Sequence, residues 1–427
     1  MGVFLTTVEL AAIVATLLPF SRSSVWWIRF FDFPRTQIAV IGAVALAADL
    51  AFWTQAGPTA QLIRAALALC ILYQVYEIRP YTIFAGKEVQ PAKNPRQEST
   101  LSLLLANVKM ENRNSARLRE IVAQADPDII LVVEADAWWE SELACFAESH
   151  VFNVRRPQEN FYGMLLYSRL ELVRSEVRFL IQEDVPSIRA GIKLAEGTEV
   201  EIHCLHPRPP VPQETAQSTE RDAELIVVGK ESKGKQVPIV VMGDLNDVAW
   251  SRTNYLFQRI SGLLDPRIGR GFYNSFHAGY FFLRFPLDHF FHSTHFRLIE
   301  LRRLAYFGSD HFPMFIRLSY EPEAERQQEA PQADASDEVE AEEKIEEAAT
   351  ERNDDCVSQR ALPQPIYAGE WAKRTLYLEY NVPVKVRMFS QIFWSCPKDV
   401  LMFSPSTNAN YSGRIEHAIE LADIDLR

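Results

Sequence analysis

The chain has few cysteines and pairs none of them in a CxxC motif. Cys70, Cys145, Cys204, Cys356 and Cys396 stand far apart, which argues against both a zinc ribbon and a disulfide scaffold. A surplus of basic charge is also missing. The net charge is −12, and residues 97–320 hold 25 Lys/Arg against 29 Asp/Glu. That balance excludes the strongly basic body of a nonspecific nucleic-acid binder. No basic segment precedes the first apolar stretch and no clear small-residue cleavage site follows it, so the N-terminus reads as an uncleaved anchor rather than a signal peptide.

Three stretches are nearly free of charge: residues 3–20, 38–53 and 60–76. The first is long enough to cross a bilayer and the other two are at the short end. Each carries one ionisable residue, Glu9, Asp49 and Arg64. With three helices in series these three fall on one side of the bilayer, where Arg64 either pairs with Glu9 or Asp49 or all three snorkel to the interface. Residues 1–80 are therefore expected to form a multi-pass membrane anchor. Its first loop holds Arg22, Arg29 and Arg35, and the segment after it holds Arg79, Lys87, Lys93 and Arg96. Three spans would place both on the same side, cytoplasmic by the positive-inside rule, and two spans would place them on opposite sides, so the side of the catalytic domain stays open.

Residues 81–98, polar and proline-containing towards their end, read as a linker. The body at 99–320 then alternates apolar runs with helical patterns. Its focus is the stretch from Val240 to Asp247, VVMGDLND. The run 237–242 reads as a buried strand that stops at Gly243, where the backbone can turn without a Cβ clash. Asp244 and Asn246 follow at i and i+2, on one side of an extended segment. Other expected strands, 101–107, 129–133 and 200–205, end at Asn107, Glu134 and His206. A strand over 287–291 carries Asp288, and Ser309-Asp310-His311 stands directly before the last strand, 312–318.

One polar strand end is usually a turn. Five of them with these residue types suggest a single site. Asn, Glu and Asp offer the hard oxygen ligands that suit Mg²⁺. His206 and His311 offer proton transfer at neutral pH, and Asp288 is placed to fix the tautomer of one imidazole. Metal-assisted hydrolysis of a phosphoester asks for this set. The rigid run His206-Pro207-Arg208-Pro209-Pro210 adds Arg208, either a bidentate phosphate clamp or an exposed loop arginine.

In this order Asn107, Glu134, His206, Gly243-Asp244-Leu245-Asn246, Asp288 and Ser309-Asp310-His311 resemble the endonuclease/exonuclease/phosphatase (DNase I-like) superfamily over about residues 99–320. The resemblance implies a four-layered α/β sandwich, two mixed sheets flanked by helices, with the site at their shared rim. It implies that Glu134, with Asn107 and Asp310, holds Mg²⁺, or Mn²⁺ in its place. Asp244 would activate or orient water, Asn246 would contact phosphate or fix Asp244, His311 with Asp288 would stabilise the transition state, and His206 would serve as general acid or phosphate contact. His289 departs from the tyrosine common at that position. The expected activity is that of a membrane-anchored phosphoesterase on a membrane-proximal phosphoester, a lipid or isoprenoid phosphate. The alternatives are a nuclease on DNA or RNA and a catalytically idle scaffold for phosphorylated ligands.

Beyond Tyr320 the composition changes. Residues 321–350 hold 12 Asp/Glu against 2 Lys/Arg, so 321–360 read as an acidic linker, disordered or loosely helical and solvated. Residues 361–427 regain hydrophobicity, with strands expected within 377–394 and a helix at 413–422, and carry no catalytic motif. Their expected role is an accessory module or an interaction tail.

Overall fold

The computed structural model describes residues 2–52, 57–212 and 214–361, which fall in one compact unit, Met1–Tyr367. The elements expected within 377–422 lie outside the described residues. The helices are α1 Gly2–Leu17, α2 Trp26–Arg29, α3 Arg35–Phe52, α4 Pro58–Ile78, α5 Ser115–Ala125, α6 Ala137–Glu142, α7 Phe146–Ser149, α8 Thr219–Ser232, α9 Arg252–Ser261 and α10 Ala335–Ala361. The strands are β1 Thr100–Asn107, β2 Ile129–Val133, β3 Phe152–Arg156, β4 Met164–Ser168, β5 Glu171–Arg178, β6 Ser187–Lys193, β7 Glu199–Leu205, β8 Ile239–Asp244, β9 Asp288–His292, β10 Phe296–Arg303 and β11 Met314–Tyr320.

Two mixed sheets pack face to face. One runs β10-β11-β1-β2-β4-β3 and the other β5-β6-β7-β8-β9. Each contains one parallel pair, β1 with β2 and β7 with β8, and antiparallel neighbours elsewhere. The period-two alternation of the apolar runs decides which face meets which layer. Leu101, Leu103, Leu105, Ile129, Leu131 and Val133 join Val200, Ile202, Cys204, Val240 and Met242 in the core between the sheets. The alternate residues Leu104, Ala106, Ile130 and Val132 face α5 and α6. Val241 and Ile239 face Leu225, Phe257 and Ile260 of α8 and α9. The result is the four-layered sandwich expected. Each of these fully buried aliphatic side chains stabilises the fold by about 1.5–3 kcal/mol relative to exposure.

Gly243 does not end its strand. β8 continues through Asp244, which pairs with Asp288 of β9. A Cβ at Gly243 would stand 1.9 Å from the Leu205 carbonyl oxygen, so the residue is there for the close approach of β7 rather than for a turn.

Two segments expected to be linkers are built into the body. In 81–98, Val89 is fully buried in the core between the sheets, the Gln90 N–H donates to Gln328 Oε1 at 2.7 Å, and Pro91 bridges Leu298. In 321–360, α10 packs on α8 and α9. Ala341, Ile345 and Ala348 recur on one helical face, and Lys344 Nζ lies 2.7 Å from Asp222 Oδ2. Further acids of this helix meet Lys230, Lys233, Arg252 and Arg259 of α8, α9 and the turn after α8. The acidic run is thus matched by basic residues about a hundred positions earlier, and it is helical because it has that partner.

Among the described residues three helices, Gly2–Ser21, Arg35–Phe52 and Pro58–Tyr81, are long and apolar enough to cross a membrane. They pack with polar groups inward: Asp49 pairs with Arg64, Gln74 Nε2 donates to Thr16 Oγ1 at 3.0 Å, and Arg35 Nη1 donates to Gln74 Oε1 at 3.2 Å. Val3, Phe4, Val14, Val40, Val44, Leu62, Leu69 and Leu72 point outward and are exposed. The segment after the first helix and the segment after the third both dock on the α/β body. Trp250 Nε1 donates to the Asp32 carbonyl at 2.7 Å, and the Tyr81 hydroxyl to the Ala249 carbonyl at 2.6 Å.

Candidate active site

The two parallel pairs deliver the site. β1 and β2 run side by side and end at Asn107 and just before Glu134; β7 and β8 end just before His206 and at Asp244. The antiparallel neighbours β9 and β11 start at the same rim, bringing Asp288 at the first residue of β9 and Ser309-Asp310-His311 just ahead of β11. One edge of the sandwich therefore collects residues from six strands.

Among the described residues two sets of carboxylates and imidazoles have ligand atoms mutually within 4.8 Å: Glu134, His206 and Asp244, and Asp244, Asp288 and His311. Asp244 is common to both and fully buried. His311 Nδ1 lies 2.7 Å from Asp288 Oδ2, and its Nε2 lies 3.4 Å from Asp244 Oδ2. His206 Nε2 lies 4.0 Å from both Glu134 Oε1 and Asp244 Oδ2. Asn107 joins the sets, its Nδ2 donating to Glu134 Oε1 at 2.6 Å and to Asp244 Oδ2 at 2.9 Å. Its Oδ1 accepts the Lys109 N–H at 2.9 Å. In this arrangement Asn107 bridges the carboxylates through nitrogen and does not turn an oxygen towards them. Asp310 stands at the margin, its Oδ2 3.0 Å from Lys109 Nζ.

Asn246 acts through its backbone and its amide. Its N–H donates to Asp244 Oδ1 at 3.0 Å and its Nδ2 to the Pro207 carbonyl at 3.0 Å, tying the Asp244 loop to the His206 loop. Arg208 is not a free clamp: Nη2 lies 2.7 Å from Asp184 Oδ2 and its guanidinium 5.3 Å from the Tyr162 ring centroid. Tyr162 in turn lies 5.6 Å from the His206 ring. Lys109, Glu134 and Asn246 all have positive φ, 53°, 58° and 51°, conformations that cost a non-glycine residue free energy and cluster at functional sites.

The two histidines are driven apart in charge. Burial disfavours the charge on His311, but Asp288 and Asp244 beside it outweigh burial and hold its pKa up to about 10. Burial dominates at His206 and pulls it down to about 4. Burial, then the Asp310 charge, pushes Glu134 up to about 8. Burial also raises Asp244, against the opposing pull of His311. The site can therefore present one cationic and one neutral imidazole at pH 7.

The donor set fits a divalent cation. Burial, with neighbouring carboxylate charge, raises the pKa of Glu134 and of Asp244, and a cation between them would offset that cost. Among the described residues Asp288 Oδ1 and His206 Nδ1 are buried with no hydrogen-bond partner, so the cluster has unsatisfied donor capacity. Hard oxygens with an imidazole suit Mg²⁺ or Mn²⁺.

Residues 104–311 match the family model described as "Endonuclease/Exonuclease/phosphatase family". This domain belongs to that family. Its members are metal-dependent phosphoester hydrolases, and this chain carries the fold and the acid-and-histidine cluster of one. Among solved structures, humanized D. rerio TDP2 is similar at 17% identity and a TM-score of 0.42, over 52% of this chain and 99% of that one. The human Nocturnin catalytic domain with bound sulfate is similar at 15% identity and a TM-score of 0.43, over 53% and 97%. The endonuclease/exonuclease/phosphatase from Beutenbergia cavernae is similar at 17% identity and 0.43, over 52% and 72%. No curated protein matches the chain.

Several residues near the site carry no role in the sequence reading. Asp247, inside the VVMGDLND stretch, is buried between Arg221 at 3.1 Å and Arg29 at 3.6 Å. Arg221 Nη1 donates to the Asn246 carbonyl at 2.8 Å, and His289 Nε2 lies 2.8 Å from the Asp247 carbonyl. These groups brace the loop that carries Asp244 and Asn246. Adjacency to Asp244 was the only sequence signal for Asp247; nothing local marks Arg29, Arg221 or Lys109.

Proposed function

We propose that the protein is a membrane-anchored hydrolase of a phosphoester borne by the membrane, using Mg²⁺ or Mn²⁺. The observation that carries this reading is the meeting of Glu134, His206, Asp244, Asp288 and His311 at one rim of the sandwich. Asp244 orients and activates the attacking water, held in place by the Asn246 N–H and the Asn107 amide. His311, kept cationic by Asp288, stabilises the charge that develops on the phosphoryl oxygens. His206, kept neutral by burial, moves the proton. Glu134 and Asp244 would hold the metal, with Asp310 at its margin; the ion would neutralise phosphoryl oxygens and lower the pKa of water. Asn246 keeps the Asp244 loop in register with the His206 loop, and Arg208 shapes the cleft wall through Tyr162 rather than gripping phosphate directly.

The anchor supports a substrate in the bilayer. Its apolar side chains face outward where water would disfavour them, its polar groups pair inward, and its two near ends seat the α/β body directly on the spans. The test is a phosphoester panel on the full chain in detergent micelles: a lipid-borne phosphoester, bis-p-nitrophenyl phosphate and plasmid DNA, each with Mg²⁺, Mn²⁺ or EDTA. Preference for the lipid ester with a divalent ion is expected. Plasmid as the best substrate would make the protein a nuclease, and no turnover of any ester would make it a binding scaffold.

A further inference from the structure

Residues 276–285 form a hairpin that touches the candidate site at one end and the anchor at the other. At its root Phe276 bridges Phe285 and His311, the Phe276 ring lies 4.9 Å from the His311 ring, and the Ala278 N–H donates to the Asp310 carbonyl at 2.6 Å. At its tip the Phe282 carbonyl accepts from Gln37 Nε2 at 2.8 Å. Gln37 is the third residue of the span Arg35–Phe52, roughly 3 Å along it at 1.5 Å per residue. Phe33, just ahead of that span, packs edge-on against Phe285 at 5.6 Å. The tip thus lies level with the end of a membrane helix, and Phe281 and Phe282 are 84% and 70% exposed there. Ile83 and Phe84, just past the third span, are 72% and 90% exposed. Apolar side chains this bare, joined to an anchor, fit the headgroup region of a bilayer.

Between tip and cleft stand two arginines. The Arg284 guanidinium lies 5.1 Å and that of Arg303 4.5 Å from the centroid of the Phe312 ring, the residue after His311. Among the described residues neither has a carboxylate within ion-pair distance, whereas Arg208 on the cleft wall has Asp184 at 2.7 Å. Arg284 Nε is buried without a hydrogen-bond partner. Burial, and then the neighbouring Arg284 charge, pulls the pKa of Arg303 down. Two like charges held on one ring, with a spare donor and no anion, form a receptor for one.

We infer that Arg284 and Arg303 form an anion subsite that grips the phosphate of a membrane lipid headgroup, and that residues 276–285 carry that lipid from the bilayer into the cleft beside His311. The inference rests on the phosphoesterase reading and narrows its substrate to an amphiphile whose phosphate reaches the cleft while its tail stays in the membrane.

The test uses the full chain released from phosphatidylcholine nanodiscs and read by native mass spectrometry, with dioleoyl phosphatidic acid as the lipid probe and glycerol 3-phosphate as the soluble one. The wild type should retain phosphatidic acid over phosphatidylcholine and bind glycerol 3-phosphate at least tenfold more weakly. Arg284→Gln with Arg303→Gln should weaken phosphatidic acid binding at least tenfold, while Arg284→Lys with Arg303→Lys, which keeps the charge, should recover part of it. Phe281→Ser with Phe282→Ser should weaken the lipid probe and leave glycerol 3-phosphate unchanged. Equal binding of the two probes would overturn the membrane origin, and unchanged lipid binding in the glutamine pair would overturn the subsite. Turnover of bis-p-nitrophenyl phosphate in the same preparations separates the two readings: absence of turnover contradicts the hydrolase, and the lipid affinities still decide the subsite.

Discussion

Arg29 Nη2 lies 3.6 Å from Asp247 Oδ2, and both side chains are buried. Arg29 belongs to the segment that follows the first apolar helix, and Asp247 to the loop that carries Asp244. The N-terminal helical part therefore supplies part of the support of the candidate site. Burial raises Asp247 while Arg221 and Arg29 oppose it, so the carboxylate depends on its cations. Removing one partner of a buried pair costs about 3–5 kcal/mol, and the lower end is expected for Arg29→Ala because Arg221 remains at 3.1 Å. Thermal unfolding of the full chain in detergent measures it; an unchanged melting temperature would show that the contact contributes nothing.

The His311–Asp288 pair bears on both stability and rate. His311→Ala should lower kcat by about 10²–10⁴-fold, the usual contribution of such a group, and should also lower the melting temperature, because it leaves the Asp288 carboxylate buried without its cation. Asp288→Asn removes the charge that holds His311 up to about 10. Since the reaction needs His311 protonated, a lower pKa loses activity at a lower pH, so the alkaline limb of the kcat profile should move towards neutral. A limb that stays in place in Asp288→Asn refutes the assignment.

Glu88 gives a pH dependence of stability far from the site. Burial pushes its carboxyl up to about 8, against the hydrogen bond from the Asp265 N–H at 2.6 Å. A folded-state pKa above the unfolded value means that its contribution is fully present below about 4.5 and is lost as pH rises through about 8. Glu88→Gln keeps the acceptor and removes the titration. Its melting temperature should match the wild type near pH 5 and exceed it by several degrees at pH 8. Parallel curves for the two proteins would mean that Glu88 is ionised in the fold.

Gly243→Ala should be among the most damaging single-methyl changes in the chain. The new Cβ would fall 1.9 Å from the Leu205 carbonyl, in the pairing of β7 with β8. Both strands deliver site residues, so the yield of folded protein and turnover should fall together. A well-folded, active Gly243→Ala protein would show that β8 can shift without consequence.

The legible parts of the sequence were those whose signal is local. Central strands such as β1, β2 and β8 are continuous apolar runs, and their polar ends mark the site residues directly. The strands that gave no such signal, β3, β5 and β10, are edge strands: β10 and β3 end one sheet and β5 starts the other. An edge strand faces water and carries charge, as ELVRSEVR does in β5, so its pattern resembles a loop. The same reason hid α10, whose acids read as solvated until basic residues of α8 and α9 are brought beside them. The support of Asp244 by Arg29 and Arg221, and the reach of residues 276–285 from His311 to Gln37, exist only in the folded chain.

The most direct test of the account is hydrolysis of bis-p-nitrophenyl phosphate by the full chain in detergent, with Mg²⁺ or with EDTA, beside Asp244→Asn. The account predicts turnover that requires the divalent ion and falls at least a hundredfold in the variant, while the melting temperature of the variant stays close to that of the wild type. Turnover that persists in EDTA, or that survives loss of the Asp244 carboxylate, would contradict it.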